Sequence, residues 1–339
     1  MCIINISTPH RVPWLRQFPN QSPEWGGYKF IFNADDQPYD YLVAFDDLHE
    51  IISPKCPVEN TIHITTEPQS VFAYHRKFTD QFGWLLTHVK HAYRNGVIQS
   101  PPFLNWYIGW QPDAEDDRGL LSYEQMEQIF FEEKTKNISI VTSNKAFTEA
   151  HRKRIEFAKR LKADFGNKLD FFGRGFVSMD DKLESLRDYR FHIAIENSSY
   201  DGYFTEKITD CFLAGTYPIY YGCKNLDQYF PKNSFLQIDL EDYDASISLI
   251  KTAISERYDL KYKAELKEAR DLCLTYHNTF PALVRIIEQI KSGEHGQPAS
   301  PQLHGKVMLP FGSKKFRRLR IKRRPHTRLL FFIETMLSK

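Results

Sequence analysis

The sequence predicts an α/β protein of two domains built on parallel sheets, and three observations carry that expectation. The first is residues 191–222, which read strand, loop, helix, strand. Residues 191–195 form a short apolar run, 196–203 are rich in Asn, Ser, Asp and Gly, and Thr205 stands where a helix N-cap belongs. Ile208, Cys211 and Phe212 then fall on one helical face, Gly215 suits the position just past the helix, and Pro218 opens the next strand. The second observation is that runs at 41–45, 61–65, 137–142, 169–174 and 234–239 have the same strand-like composition. The third is length: 339 residues suffice for two separate cores.

The loop after residue 195 delivers Asn197, Tyr203, Glu206 and Lys207 to the carboxyl end of a parallel strand, where open α/β sheets bind ligands. A helix N-terminus attracts phosphate through free N–H groups and its partial positive charge. Lys207 in that first turn is unfavourable unless an anion arrives, and Glu206 beside it can accept from hydroxyls such as those of a ribose. A pair of solvated first-turn residues fits the same local pattern.

Apolar content of 42% and charged content of 26% are ordinary for a globular chain. The net charge of +2 conceals an asymmetry: residues 295–339 hold eleven Lys or Arg and one acid, so the remainder is acidic. Five cysteines, odd in number and without a close pair, argue against a disulfide framework or a CxxC metal site. A basic-then-apolar leader and an apolar run of about 18 residues are both absent from the sequence, and a cytoplasmic location is expected.

Glu-Asn-Ser at 196–198, Tyr-Phe-Thr-Glu-Lys-Ile at 203–208 and Gly-Thr-Tyr-Pro-Ile-Tyr-Tyr-Gly at 215–222 together resemble the donor-binding signature of the α1,3/4-fucosyltransferases, glycosyltransferase family 10. The resemblance implies a GT-B fold, with two Rossmann-like domains facing a central cleft, a GDP-fucose donor, an inverting mechanism and no metal or other cofactor. By position, Lys207 resembles the lysine on the donor pyrophosphate and Glu206 the ribose-binding glutamate. Asn197 and Tyr203 resemble residues lining the nucleotide site, and Tyr221 is a further donor-side candidate.

Two more residues complete the expected site. Glu67 ends a predicted strand, and Pro68 holds it extended. A carboxylate there can take the proton of an acceptor hydroxyl, and it occupies the place of a family glutamate proposed as that base. A turn-capping glutamate is the plainer reading. The helix at 148–162 starts with His151, Arg152, Lys153 and Arg154, a cluster suited to phosphate, since arginine pairs its oxygens bidentately. Arg154 best matches the family arginine on the donor phosphates, Arg152 is the fallback, and a solvated basic face stays open.

His63, His75, His88 and His91 lack metal-ligand spacing, and Asp242-Tyr-Asp244, formally a DxD, precedes a helical run that it would cap. Aromatic residues in 100–110 fit either an acceptor floor or a packed loop. A helix is expected over 179–189, and helix over 258–290 with a break near 275–281. The resulting division is an acceptor domain at 1–135, a donor domain at 136–290, and a linker with a basic amphipathic tail at 291–339. Nine basic residues in 314–328 followed by an apolar stretch point to an anionic membrane surface, through 314–337, rather than to nucleic acid. The leading expectation is a peripheral fucosyltransferase acting on an N-acetylglucosamine- or glucose-containing glycan. A GT-B enzyme using another sugar nucleotide, and a membrane- or nucleic-acid-binding module built on the tail, are the alternatives.

Overall fold

The computed structural model describes residues 1–68, 72–89, 94–103, 105–111, 119–128, 134–142, 149–173, 175–301, 303, 306–311 and 313, with the side chains of 149–151 outside that set. The basic tail, Arg174 and the 143–144 turn lie outside the described residues.

Seven strands form the first sheet: β1 (Cys2–Ser7), β2 (Glu24–Trp25), β3 (Tyr28–Phe32), β4 (Tyr41–Phe45), β5 (Thr61–Ile64), β6 (Trp84–Thr87) and β7 (Val97–Gln99). Their order is β2-β3-β1-β4-β5-β6-β7, parallel except for the β2–β3 pair. Short helices α1 (Arg76–Thr79) and α2 (Tyr123–Gln128) belong to this part of the chain. The second sheet holds β8 (Lys136–Val141), β9 (Leu169–Phe172), β10 (Tyr189–Ile195), β11 (Tyr217–Tyr221) and β12 (Leu236–Gln237) in the order β12-β11-β10-β8-β9, all parallel. Around it run α3 (Glu149–Phe165), α4 (Glu206–Leu213), α5 (Tyr243–Ser255), α6 (Tyr258–Lys261) and α7 (Lys263–Thr275), and α8 (Thr279–Lys291) follows.

Parallel strands need cover on both faces, and each sheet has it. Ile4, Ile6, Val43 and Phe45 face a core shared with Trp14, Phe18 and Phe30, while Leu42 and Ala44 face a second core with Phe78 and Phe82. In the second sheet, Ile138, Ile140 and Ile193 pack on Phe157 and Leu161 of α3 and Ile247 of α5. The opposite side carries Ile208 and Phe212 of α4, which meet Leu266 and Cys273 of α7.

Helix α8 crosses back to the first sheet. Phe280, Leu283 and Ile287 enter the first domain's core, where Phe280 packs 3.8 Å from Phe18 and 5.8 Å from Trp14 between ring centres. Asn278 caps α8 through Phe280 N (3.2 Å) and donates to the Gln17 carbonyl (2.9 Å), and Pro281 sits in the first turn, where no amide partner is lost.

A second tie joins the domains. The Arg16 guanidinium, 1% exposed, donates to the carbonyls of Trp106 (2.8 Å), Ile108 (2.6 Å) and Gly109 (2.5 Å). From the second domain, Asp181 accepts from Gly109 N (2.9 Å) and Asp210 from Tyr107 N (3.2 Å). The aromatic 100–110 stretch is therefore a packed loop with Phe103, Trp106, Ile108 and Trp110 buried and Tyr107 left partly open.

Two expected elements differ. The 179–189 helix is a single turn of 3-10 helix, Lys182–Ser185, because Asp181 and Glu184 close a capping box and Tyr189 already pairs in β10. The 234–239 strand shrinks to Leu236–Gln237 at the sheet edge.

Candidate active site

In the second sheet the order of strand addition reverses at the neighbouring parallel strands β8 and β10, with β9 on one side and β11 and β12 on the other, and such a switch point is where a crevice opens beyond the strand ends. A cavity of about 280 Å³ lies there, bordered by Val141 and Thr142 of the β8 end, Ile193 to Ile195 of β10, and the charged side chains Arg154, Lys182, Glu206 and Lys207. Gly173 lines it too, at φ +108, where an added Cβ would lie 2.1 Å from the Thr142 carbonyl oxygen.

Lys207 is placed by three local features. Thr205 caps α4 with its hydroxyl oxygen accepting from Lys207 N (3.4 Å) and Lys207 Nζ (3.1 Å). The same hydroxyl donates to the Glu196 carboxylate (2.8 Å), which also accepts from Thr205 N (2.8 Å). Glu196 and Glu206 each stand 3.3 Å from the ammonium, which keeps 24% of its surface open. Burial opposes the charge on Lys207, but Glu206 and then Glu196 outweigh it and raise its pKa. Burial would likewise raise the Glu206 carboxyl, yet Lys207 and Lys182 hold it down to about 2. Glu196, with a fully buried side chain, is pushed up by burial against the pull of Lys207.

Arg154 reaches the same cavity from α3, and its Nη1 donates to Asn197 Oδ1 (3.2 Å). Arg152, two residues earlier, is exposed and does not line the cavity. Tyr203 is buried in an aromatic stack with Tyr200 (5.1 Å) and with His88 of the first domain (5.1 Å), so it joins the domains beside the cavity instead of lining it. Tyr221 ends β11, and its carbonyl accepts from Glu196 N (2.8 Å).

Glu67 follows β5 on the first domain. Glu67 is exposed, yet crowding by the protein raises its pKa first and Asp46 second, while Lys207 of the second domain opposes the shift. Glu67 and Lys207, from the two domains, therefore influence each other electrostatically. Beside it, Asp46 at the β4 end accepts from Thr66 Oγ1 (3.0 Å), from the Tyr74 hydroxyl and, at 2.8 Å, faces His10 Nε2.

Sequence reasoning passed over Glu196, Lys182 and Asp210 as site residues, and placed Tyr107 only within the 100–110 aromatic stretch. Lys182 Nζ donates to Asp210 (2.8 Å) and to the Glu206 carbonyl (3.1 Å), supporting the first turn of α4 from below, and Tyr107 closes one side of the cavity. The Asp-Lys-Leu-Glu capping box at 181–184 was the available signal for Lys182. Asp242 accepts from Ala245 N (3.0 Å) as the cap of α5. Among the described residues, Asp35, His49 and Glu50 are the group close enough to share a cation, and none of them lines this cavity.

Known proteins resemble the chain in sequence and in fold. The model of glycosyltransferase family 10 (fucosyltransferase) C-term matches residues 131–255. The alpha-(1,3)-fucosyltransferase FucT of Helicobacter pylori is 31% identical over 105 residues, which is 30% of this chain and 22% of that one. The human 4-galactosyl-N-acetylglucosaminide 3-alpha-L-fucosyltransferase 9 is 30% identical over 105 residues, 30% of this chain and 26% of that one. The chain thus spans about a quarter of the length of these curated relatives. A solved structure of an alpha1,3-fucosyltransferase with GDP aligns at a TM-score of 0.50 and 16% identity, covering 86% of this chain and 90% of that one, so the GT-B fold is shared. Residues 131–255, which contain the second sheet and the cavity at its strand ends, are the part of the chain that is similar to the glycosyltransferase family 10 (fucosyltransferase) C-term.

Proposed function

We propose that the protein is an inverting fucosyltransferase that moves L-fucose from GDP-fucose to a hydroxyl of an N-acetylglucosamine- or glucose-containing glycan, in α1,3 or α1,4 linkage. The observation that carries this reading is the convergence of Arg154 and Lys207, from separate helices, on one cavity at the sheet's switch point. Two cations there suit a diphosphate. Glu206, ionised at neutral pH, can accept from ribose hydroxyls. The acceptor hydroxyl oxygen attacks the anomeric carbon as its proton passes to the Glu67 carboxylate and the bond to the GDP oxygen breaks. Charge growing on the departing GDP is met by Lys207 and Arg154, so the reaction needs no divalent ion. Fucose as the sugar rests on the names of the relatives.

The expected result is that GDP-fucose alone in a panel of GDP- and UDP-sugars supports transfer to N-acetylglucosamine- and glucose-terminated acceptors, with full rate in EDTA. Preference for another sugar nucleotide overturns the donor assignment, and loss of activity in EDTA overturns the metal-independent mechanism.

The basic and apolar segment 314–337 fits attachment to an anionic membrane at its cytoplasmic face, each cation near the surface adding about 1 kcal/mol. Among the described residues no helix is long and apolar enough to cross a membrane. The full chain is expected to sediment with anionic liposomes and to leave RNA unbound at the same ionic strength. Retention on RNA but not on liposomes overturns the attachment.

A further inference from the structure

Beyond α8 the chain comes back to the first domain. Met308 pairs with Ile52 in an antiparallel bridge, its amide donating at 2.8 Å and its carbonyl accepting at 3.1 Å. The Gln81 side chain brackets Leu309, accepting from its amide (2.7 Å) and donating to its carbonyl (3.0 Å). Phe311 N then donates to Asp47 Oδ1 (2.7 Å). Met308 and Phe311 are buried in the core under Leu42 and Ala44.

The Phe311 ring meets Phe72 (5.0 Å), Phe78 (5.5 Å) and Tyr74 (6.3 Å) between ring centres. Two of these three residues hold the flanks of Glu67. Phe72 N donates to the carbonyl of Pro68, directly after Glu67 (2.9 Å). The Tyr74 hydroxyl accepts from Thr66 N, directly before it (3.4 Å), and donates to Asp46, which also accepts from Thr66 Oγ1. Asp46 itself stands at φ +69, in the left-handed region that Asp enters more readily than most non-glycine residues. Phe311 therefore abuts two residues that hold the backbone on either side of the carboxylate, Phe72 through its amide and Tyr74 through its hydroxyl.

We propose that residues 306–311 form a strap that sets the position of the Glu67 loop, with Phe311 as a positioning residue for acceptor deprotonation. The proposal rests on the reading of Glu67 as the base. General-base transfer is sensitive to placement, a shift near 1 Å costing on the order of 100-fold. Substrate binding on the second domain does not depend on the strap, so the effect belongs in kcat.

The test uses the full chain and three variants, Phe311→Ala, Phe311→Tyr and Glu67→Gln, with transfer kinetics, calorimetric GDP affinity and thermal midpoint measured for each. Phe311→Ala is expected to lower kcat about 10- to 100-fold, with GDP affinity unchanged and acceptor KM nearly so, while Phe311→Tyr, which keeps the ring, retains kcat. If Phe311→Ala does not fold, Phe311→Leu keeps the bulk without the ring and carries the same expectation. An unchanged kcat in Phe311→Ala beside an inactive Glu67→Gln overturns the strap and leaves the base in place. Parallel loss of kcat and GDP affinity in Phe311→Ala also overturns it, because general loosening then explains the effect. Full activity in Glu67→Gln removes the base assignment and the strap with it.

Discussion

Lys207→Ala is expected to lower transfer about 10²- to 10³-fold, the usual loss when one preorganised donor to a developing negative charge is removed, and to weaken GDP binding in calorimetry. Among the described residues, it is the cation that both lines the cavity and is clamped within 3.3 Å of two carboxylates, Glu196 and Glu206. Removing it has a second consequence. Glu196 stays fully buried with only the Thr205 groups as partners among the hydrogen bonds described above, and an uncompensated buried charge typically costs about 3–5 kcal/mol. The sign with pH follows from the direction of the Glu196 shift. A carboxyl whose folded pKa lies above the ordinary 4.5 stabilises the fold most below 4.5, and that contribution fades as pH rises through the folded value. Glu206, held down to about 2 largely by Lys207, also loses that partner, so the stability deficit of Lys207→Ala relative to the parent is smallest in strong acid, grows above about pH 2 through Glu206 and grows further as Glu196 ionises above 4.5. Unchanged GDP affinity would contradict the donor-site role, and a deficit that grows on acidification would contradict the buried pair.

Glu67→Gln is expected to reduce transfer about 10²- to 10⁴-fold, the range for a lost general base, while GDP affinity remains that of the parent. The contrast with Lys207→Ala separates the two domains: one variant loses chemistry and binding, the other chemistry alone. The pH profile carries a further expectation. Burial in the gap raises the Glu67 carboxyl above the ordinary 4.5, Asp46 adds to the rise, and Lys207 and His10 oppose it. The base works deprotonated, so transfer falls on acidification at a pH above 4.5, and Glu67→Gln lacks that limb. An acid limb that survives in Glu67→Gln assigns the titration to another group.

Much of the donor half was legible in the residues themselves. The strand–cap–helix–glycine grammar of 191–222 depends on local chemistry, and Thr205 caps α4 and Gly215 adopts φ +59 as that chemistry requires. Arg154 and Arg152 were not separable by composition; the direction of α3 decided between them, turning Arg154 to the cavity and Arg152 to solvent. Lys182 was hidden inside a stretch read as helix, and its pairing with Asp210 spans 28 residues of sequence. In the first domain β1, β3, β6 and β7 went unread, although β1 is as long as β8 and the turn residues Gly26-Gly27 and Asn95-Gly96 stand before β3 and β7.

The sequence by itself determined the α/β class and the placing of Glu206 and Lys207 at a helix start after a buried strand, because caps, glycines and apolar runs act over a few residues. Tertiary structure alone decided that Glu196 would be a buried carboxylate, that Tyr203 would join the domains through His88, and that residues 306–311 would return beneath the Glu67 loop. Burial and long-range charge pairing depend on which strands and helices become neighbours, and that information is distributed over the whole chain.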